Sequence, residues 1–139
     1  MDLAISHKNA QEAHDMDDKE VMILCDKIRI ASFSAHKFLK HGHLEKIYEN
    51  ALAHRLKKQG IALEQQYALK VFDEDGTLLG DFFADLFVEK NLIVEIKACR
   101  TLAEEHIAQI LGYLRASRIR HGLLINFGSP KLQIKKLIL

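Results

Sequence analysis

Between Ala62 and Lys97 the chain reads as three strands in a row, and this most narrows what it can fold into. Apolar and polar residues alternate through ALEQQYALKVF, and DEDG then breaks the pattern. TLLGDFFADLFV resumes the period of two, EKN breaks it again, and LIVEIK closes the run. Alternating apolar segments bounded by Gly, Asp and Asn are strand and hairpin signals. Connections this short join antiparallel neighbours, and a sheet needs other elements to cover its apolar faces.

The rest of the chain supplies the cover. From about 18 to 40, Val21, Leu24, Cys25, Ile28, Ala35 and Leu39 recur at helical spacing, with Asp17 or Asp18 as cap. A second helix is expected over about 43 to 59, with Leu44, Ile47, Tyr48, Ala51, Leu52 and Leu56 on one face and Gly60 as its stop. Residues 103 to 117 carry an Ala103, Ile107, Ile110, Leu111, Leu114 stripe. HGLLINF (121–127) is an unbroken apolar run suited to a buried strand, and LQIKKLIL (132–139) suits an edge strand. The order is ααβββαββ, an α/β (α+β) domain with a mixed central sheet flanked by helices. Residues 1–17 read as a polar, flexible tail and 18–139 as a single domain.

Composition excludes several classes. No apolar run approaches membrane-spanning length, and the N-terminus lacks the basic-then-apolar pattern of a secretory signal. Cys25 and Cys99 stand far apart in apolar segments, which fits reduced, buried thiols rather than a disulfide scaffold. A cytoplasmic protein is the expectation. Net charge is only +1, but residues 1–20 hold six acids, whereas beyond Glu105 only bases occur, from Arg115 to Lys136. Such a basic third suits a phosphate backbone, or is simply a solvated surface.

ADLFVEKNLIVEIK (84–97) places Asp85, Glu95 and Lys97 among Leu, Ile, Val and Phe. A three-residue turn over Glu89–Asn91 pairs Val88 with Leu92, Leu86 with Val94 and Ala84 with Ile96, which makes one face wholly apolar; the hydrophobic pattern selects that register. It also sets Asp85 opposite Glu95, with Lys97 further along the same face. Opposed carboxylates repel unless something neutralises them. A divalent cation with a preference for hard oxygen ligands does so, and a lysine beside it can orient water or stabilise negative charge. A plain Asp–Lys–Glu surface network is the alternative. On the second helix Glu45 is expected to point inward beside the apolar stripe, with Glu49 toward solvent. On the later helix His106, Gln109 and Tyr113 share a face away from the stripe.

Taken together, these residues resemble the PD-(D/E)xK nuclease superfamily: an acid on a helix (Glu45), Asp85 on a strand, Glu95-Ile96-Lys97 on the next, then a helix. Gly42-His43-Leu44-Glu45-Lys46-Ile47-Tyr48 looks like the name motif of the GxxExxY family within it, and HIAQILGYL (106–114) is similar to its H-x-x-Q segment and to the Q-x-x-x-Y element of RecB-type exonucleases. The resemblance covers roughly residues 20–138 and implies a restriction-endonuclease-like core that hydrolyses phosphodiester bonds with Mg²⁺ or Mn²⁺. It implies that Asp85 and Glu95 bind the metal, with the Ile96 carbonyl and Glu45 completing the set, and that Lys97 positions water. Gln109 and Tyr113 would contact substrate or hold Lys97; Tyr48, Gln66 and His106 would stand around them. DNA or RNA would be the partner, with a second copy or a protein helping the grip; the last strand offers an edge for a second copy.

Two other functions fit the residues. One is a non-catalytic or partner-dependent nucleic-acid-binding module on the same fold. The other is a transition-metal site built from His36, His41 and His43 with Cys25 nearby, although no CxxC or HExxH pattern accompanies them.

Overall fold

The computed structural model describes residues 15–139. Most of the expected N-terminal tail, residues 1–14, lies outside the described residues. The elements are α1 (Asp18–Leu39), α2 (Glu45–Lys58), β1 (Leu63–Phe72), β2 (Leu78–Val88), β3 (Leu92–Lys97), α3 (Glu104–Ser117), β4 (His121–Asn126) and β5 (Gln133–Ile138). This is the ααβββαββ order expected from the periodicity.

α1 starts where its caps dictate. The Asp17 side chain accepts from the Glu20 N–H at 2.8 Å, and the Glu20 carboxylate accepts from the Asp17 N–H at 3.4 Å. α2 ends in a Schellman motif: Gly60, at φ +76°, donates to the Lys57 carbonyl, and Ile61 donates to that of Leu56. That left-handed turn releases the chain into β1.

The strands form one sheet in the order β1-β2-β3-β4-β5. β1, β2 and β3 are a meander, α3 carries the chain across to β4, which lies parallel to β3, and β5 returns antiparallel at the far edge. α1 and α2 cover one face, packing Leu24, Ile28, Tyr48 and Leu52 on Leu86, Val94 and Ile125. α3 covers the other, packing Ile110 and Leu114 on Phe87, Ile93 and Leu124. Being sandwiched explains why every residue of β4 is buried. Each fully buried aliphatic side chain contributes roughly 1.5–3 kcal/mol.

Two departures from the sequence expectation bear on the site. First, the β2–β3 loop does span Glu89–Asn91, pairing Val88 with Leu92 and Leu86 with Val94. The ladder then stops, so Ala84 does not pair with Ile96. The Asp85 carboxylate takes the Ile96 N–H at 2.7 Å, standing where a strand carbonyl would. Glu89 and Lys90 take the left-handed conformation in the loop, and the Asn91 amide donates to the Glu89 carbonyl.

Second, alternation breaks inside β1 and β2. Leu86 and Val88 face α1 and α2, whereas Phe82 and Ala84 face the α3 side with Tyr67, Leu69 and Val71. The switch falls at one position of the ladder: Gln65 pairs with Leu86 and Tyr67 with Ala84, while Gln66 and Asp85 between them do not pair. Gln66 sits at φ +51°, a left-handed conformation that a side chain with a Cβ rarely adopts. One strained residue therefore turns over both strands beside Asp85.

Candidate active site

Where β2 and β3 part, charged and polar side chains gather on the α3 side of the sheet. Glu95 and Lys97 share this face with Ile93 because side chains on β3 alternate. Glu95 is only 7% exposed. It hydrogen-bonds to Asp85, yet its Oε1 is buried with no partner among the described residues. Burial first, then the charge of Asp85 and their shared hydrogen bond, push the Glu95 carboxyl up to about 9, with Lys97 pulling the other way. At neutral pH the metal-free pair therefore holds a proton. An orphaned buried acceptor costs about 1–3 kcal/mol, an expense that buried polar groups normally avoid.

Lys97 is oriented from α3: its Nζ donates to Gln109 Oε1 at 3.4 Å. Tyr113 follows one turn on along α3, where the Gln109 amide acts to lower its pKa. Tyr113 stacks on Phe82, centroids 3.9 Å apart and planes within 10°. Burial raises the Tyr113 pKa, and the Glu95 charge adds to it. Gln109 and Tyr113 thus stand beside the acids and the lysine, the Phe82 stack fixing the tyrosine ring.

The acid that α2 turns inward is Glu49, whereas the expectation had Glu45 there. Glu45, the first residue of the helix, is exposed, whereas Glu49 is only 3% exposed. The expectation treated Leu44 and Ile47 as buried, but they are 78% and 44% exposed. The face that packs is Tyr48, Glu49, Leu52, Ala53 and Leu56, and centring the helix on those positions turns Glu49 inward. Glu49 Oε1 accepts from Gln66 Nε2 at 2.7 Å, and Oε2 accepts from Gln65 Nε2 and Lys46 Nζ, each at 2.8 Å. Gln66 Nε2 also donates to Asp85 Oδ1 at 3.0 Å. One amide bridges the helix acid and the strand acid. The signal was present in the paired Gln65-Gln66, whose amides need acceptors, and in the one-turn spacing of Glu45 and Glu49.

Two other expected site residues lie elsewhere. Tyr48 is fully buried, stacked on Phe127 at 4.8 Å, so it cannot touch a substrate; its hydroxyl donates to the Lys40 carbonyl at 2.6 Å and accepts from the His43 N–H at 3.1 Å. His106 turns back on its own helix start, where Nδ1 accepts from the Ala103 N–H at 3.0 Å. The histidines of HKFLKHGH and Cys25 form no metal-holding group among the described residues. His36 bonds the Ser129 carbonyl, His43 bonds the Leu39 carbonyl, and Cys25 is buried within α1.

Among the described residues no three His, Cys, Asp or Glu side chains stand together as a metal cage. The donor set that remains is Asp85 and the orphaned Glu95, followed along β3 by the Ile96 carbonyl. Hard oxygens in this number suit Mg²⁺ or Mn²⁺, which are commonly held by one or two carboxylates plus water and phosphate oxygens. The residues fit such an ion. Glu49 accepts from three side-chain donors and is joined to Asp85 through the Gln66 amide.

Comparison with known proteins agrees with the geometry. A family model described as the PD-(D/E)XK nuclease superfamily matches residues 23–137. The crystal structure of SSO0001 superposes with a TM-score of 0.56 at 19% sequence identity, over 67% of this chain and 48% of that one. The likeness is one of fold, and the chain spans about half the length of that protein. No curated protein matches the sequence. With residues 23–137 matched and a five-stranded mixed sheet between helices, the chain belongs to the PD-(D/E)XK nuclease superfamily.

Proposed function

We propose that this protein is a divalent-metal-dependent nuclease that hydrolyses phosphodiester bonds, with its active site on residues 18–139 as one domain. The observation that carries this is the Asp85/Glu95 pair with the unpartnered Glu95 Oε1 beside Lys97, in a chain of this superfamily. Asp85 and Glu95 would hold Mg²⁺ or Mn²⁺, and the Ile96 carbonyl could add a third donor. The bound ion supplies Lewis acidity and a water of lowered pKa. Lys97 would orient the attacking water and stabilise negative charge developing on the phosphate. Gln109 sets the direction of Lys97, and Tyr113 lines the approach to it. Gln66 fixes Asp85 against Glu49. The segment Gly42–Tyr48 supports membership of the GxxExxY family. A net charge of +1 supports help from a second copy or a protein partner in gripping DNA or RNA. No helix among the described residues is long and apolar enough to cross a membrane.

The test is cleavage of labelled single-stranded DNA, duplex DNA and RNA with Mg²⁺, Mn²⁺ or EDTA, alongside Glu95→Ala and Lys97→Ala. The expected result is metal-dependent cleavage that falls at least about 100-fold in both variants. Cleavage unchanged in the variants, or none on any substrate, would replace this reading with a non-catalytic nucleic-acid-binding module.

A further inference from the structure

Beyond the C-terminal ends of the parallel strands β3 and β4 lies an open cleft of about 500 Å³. Its walls are the 41–43 loop between α1 and α2, the chain just past Lys97, and the turn after β4. His41, His43 and Arg100 line it, and no acidic side chain among the described residues does. His41 and Arg100 are exposed, and their side chains make no hydrogen bond or ion pair among the described residues.

The walls are firmly built. Asn126, fully buried, accepts from the N–H groups of Cys99 and Gly128 at 3.0 Å each and donates to the Cys99 carbonyl at 3.0 Å. Its one amide ties the two strand ends together. A Cβ on Gly128 would overlap the backbone of Ala98 and Cys99, so the two loops meet as closely as chains can. On the other side the buried Tyr48 hydroxyl holds the loop at Lys40 and His43. The buried framework holds these walls in place and leaves the side chains of His41 and Arg100 open to a ligand.

We propose that this cleft binds a phosphate of the nucleic-acid backbone, gripped by Arg100 and His41 with His43 lining the wall beside them. A guanidinium and an imidazole N–H are donors suited to phosphate oxygens, and open α/β sheets bind ligands outside the carboxyl ends of their strands. The cleft begins one residue past Lys97. A strand whose scissile phosphate lies at Asp85 and Glu95 can therefore run on past Lys97 toward Ala98, Cys99 and Arg100, which line the cleft. This assigns the histidine-rich KHGH segment to substrate binding rather than metal binding, and it rests on the nuclease reading for the identity of the polymer.

The experiment is fluorescence anisotropy of a labelled single-stranded oligonucleotide in EDTA across a salt series, with wild type, His41→Ala, Arg100→Ala and the double variant. Both residues are exposed, and melting curves confirm that the variants fold. The expected result is binding about tenfold weaker in the double variant, with the slope of log Kd against log salt reduced by about 0.7 for each phosphate no longer neutralised. Equal binding by wild type and double variant would overturn the proposal, as would a wild type that binds no oligonucleotide. Inorganic phosphate at constant ionic strength is the second probe. If it shifts the His41 and His43 imidazole resonances while oligonucleotide affinity ignores the variants, the cleft holds free phosphate only and the proposal falls. Weakened binding in the variants with no cleavage by wild type would leave the cleft standing and remove the nuclease reading. Intact cleavage with unaltered binding in the variants would do the reverse.

Discussion

At the scale of single residues, Glu95 carries the largest electrostatic burden. Its pKa rises from 4.5 to about 9 on folding without metal. For an acid shifted upward, the folded protein holds the proton that the unfolded chain releases. Stability from this group is thus fully present below about pH 4.5 and is lost as pH climbs toward 9, at up to about 1.4 kcal/mol per pH unit. Glu95→Gln keeps the shape and removes the titration. In EDTA at pH 8 the variant should melt on the order of 5 °C or more above wild type, and its melting temperature should vary less between mildly acidic and alkaline pH, while metal-dependent cleavage is lost. A thermal melt series with and without EDTA checks this. Gln66 poses a separate question, because its left-handed backbone and its bridging amide do different things. Gln66→Gly and Gln66→Ala both remove the amide, and both should weaken metal binding about 10–100-fold. Only glycine relieves the backbone, so it should be about 1 kcal/mol more stable than alanine, the reverse of their usual order within a strand. Chemical denaturation of the two variants decides it.

At the scale of elements, α2 shows how a helix can be located correctly and still be turned wrongly about its axis. Its start and stop were legible to within two residues, because Gly60 and the apolar repeat mark them. Its rotation was not, because Leu44 and Ile47 look like core residues and are exposed. Whether a leucine at a helix end is covered depends on what lies past that end, which local periodicity does not contain. The consequence is testable. Glu45→Ala should change stability by less than about 0.5 kcal/mol and leave cleavage near wild type. Glu49→Ala strands two glutamine amides and should cost about 1–3 kcal/mol, with weakened metal binding through Gln66. Urea unfolding and metal titration of both variants give the comparison. The hairpin tells a similar story. The apolar pattern of β2 and β3 correctly sets the register at Val88/Leu92 and Leu86/Val94. The side-chain bond from the Ile96 N–H to Asp85 then ends the ladder, a competition between side chain and backbone that strand periodicity cannot display.

At the scale of the whole molecule, the strand ends beside the site are joined by Asn126 and Gly128 rather than by the site residues themselves. Gly128→Ala should therefore cost about 3 kcal/mol or more, or prevent folding, although no charge or site group changes; its yield and melting temperature against wild type test this. The sequence alone determined the element order, the mixed sheet, the helical cover and the charged strip Asp85–Glu95–Lys97. All of these follow from side-chain period and turn chemistry over a few neighbouring residues. Only the tertiary structure decided that Glu49 rather than Glu45 faces the acids, that Gln66 turns two strands over at once, that Tyr48 and His106 serve the backbone, and that His41 and Arg100 share a cleft. Each of those depends on which distant surface meets a given face, and burial by a partner far along the chain overrides the preference of the local segment.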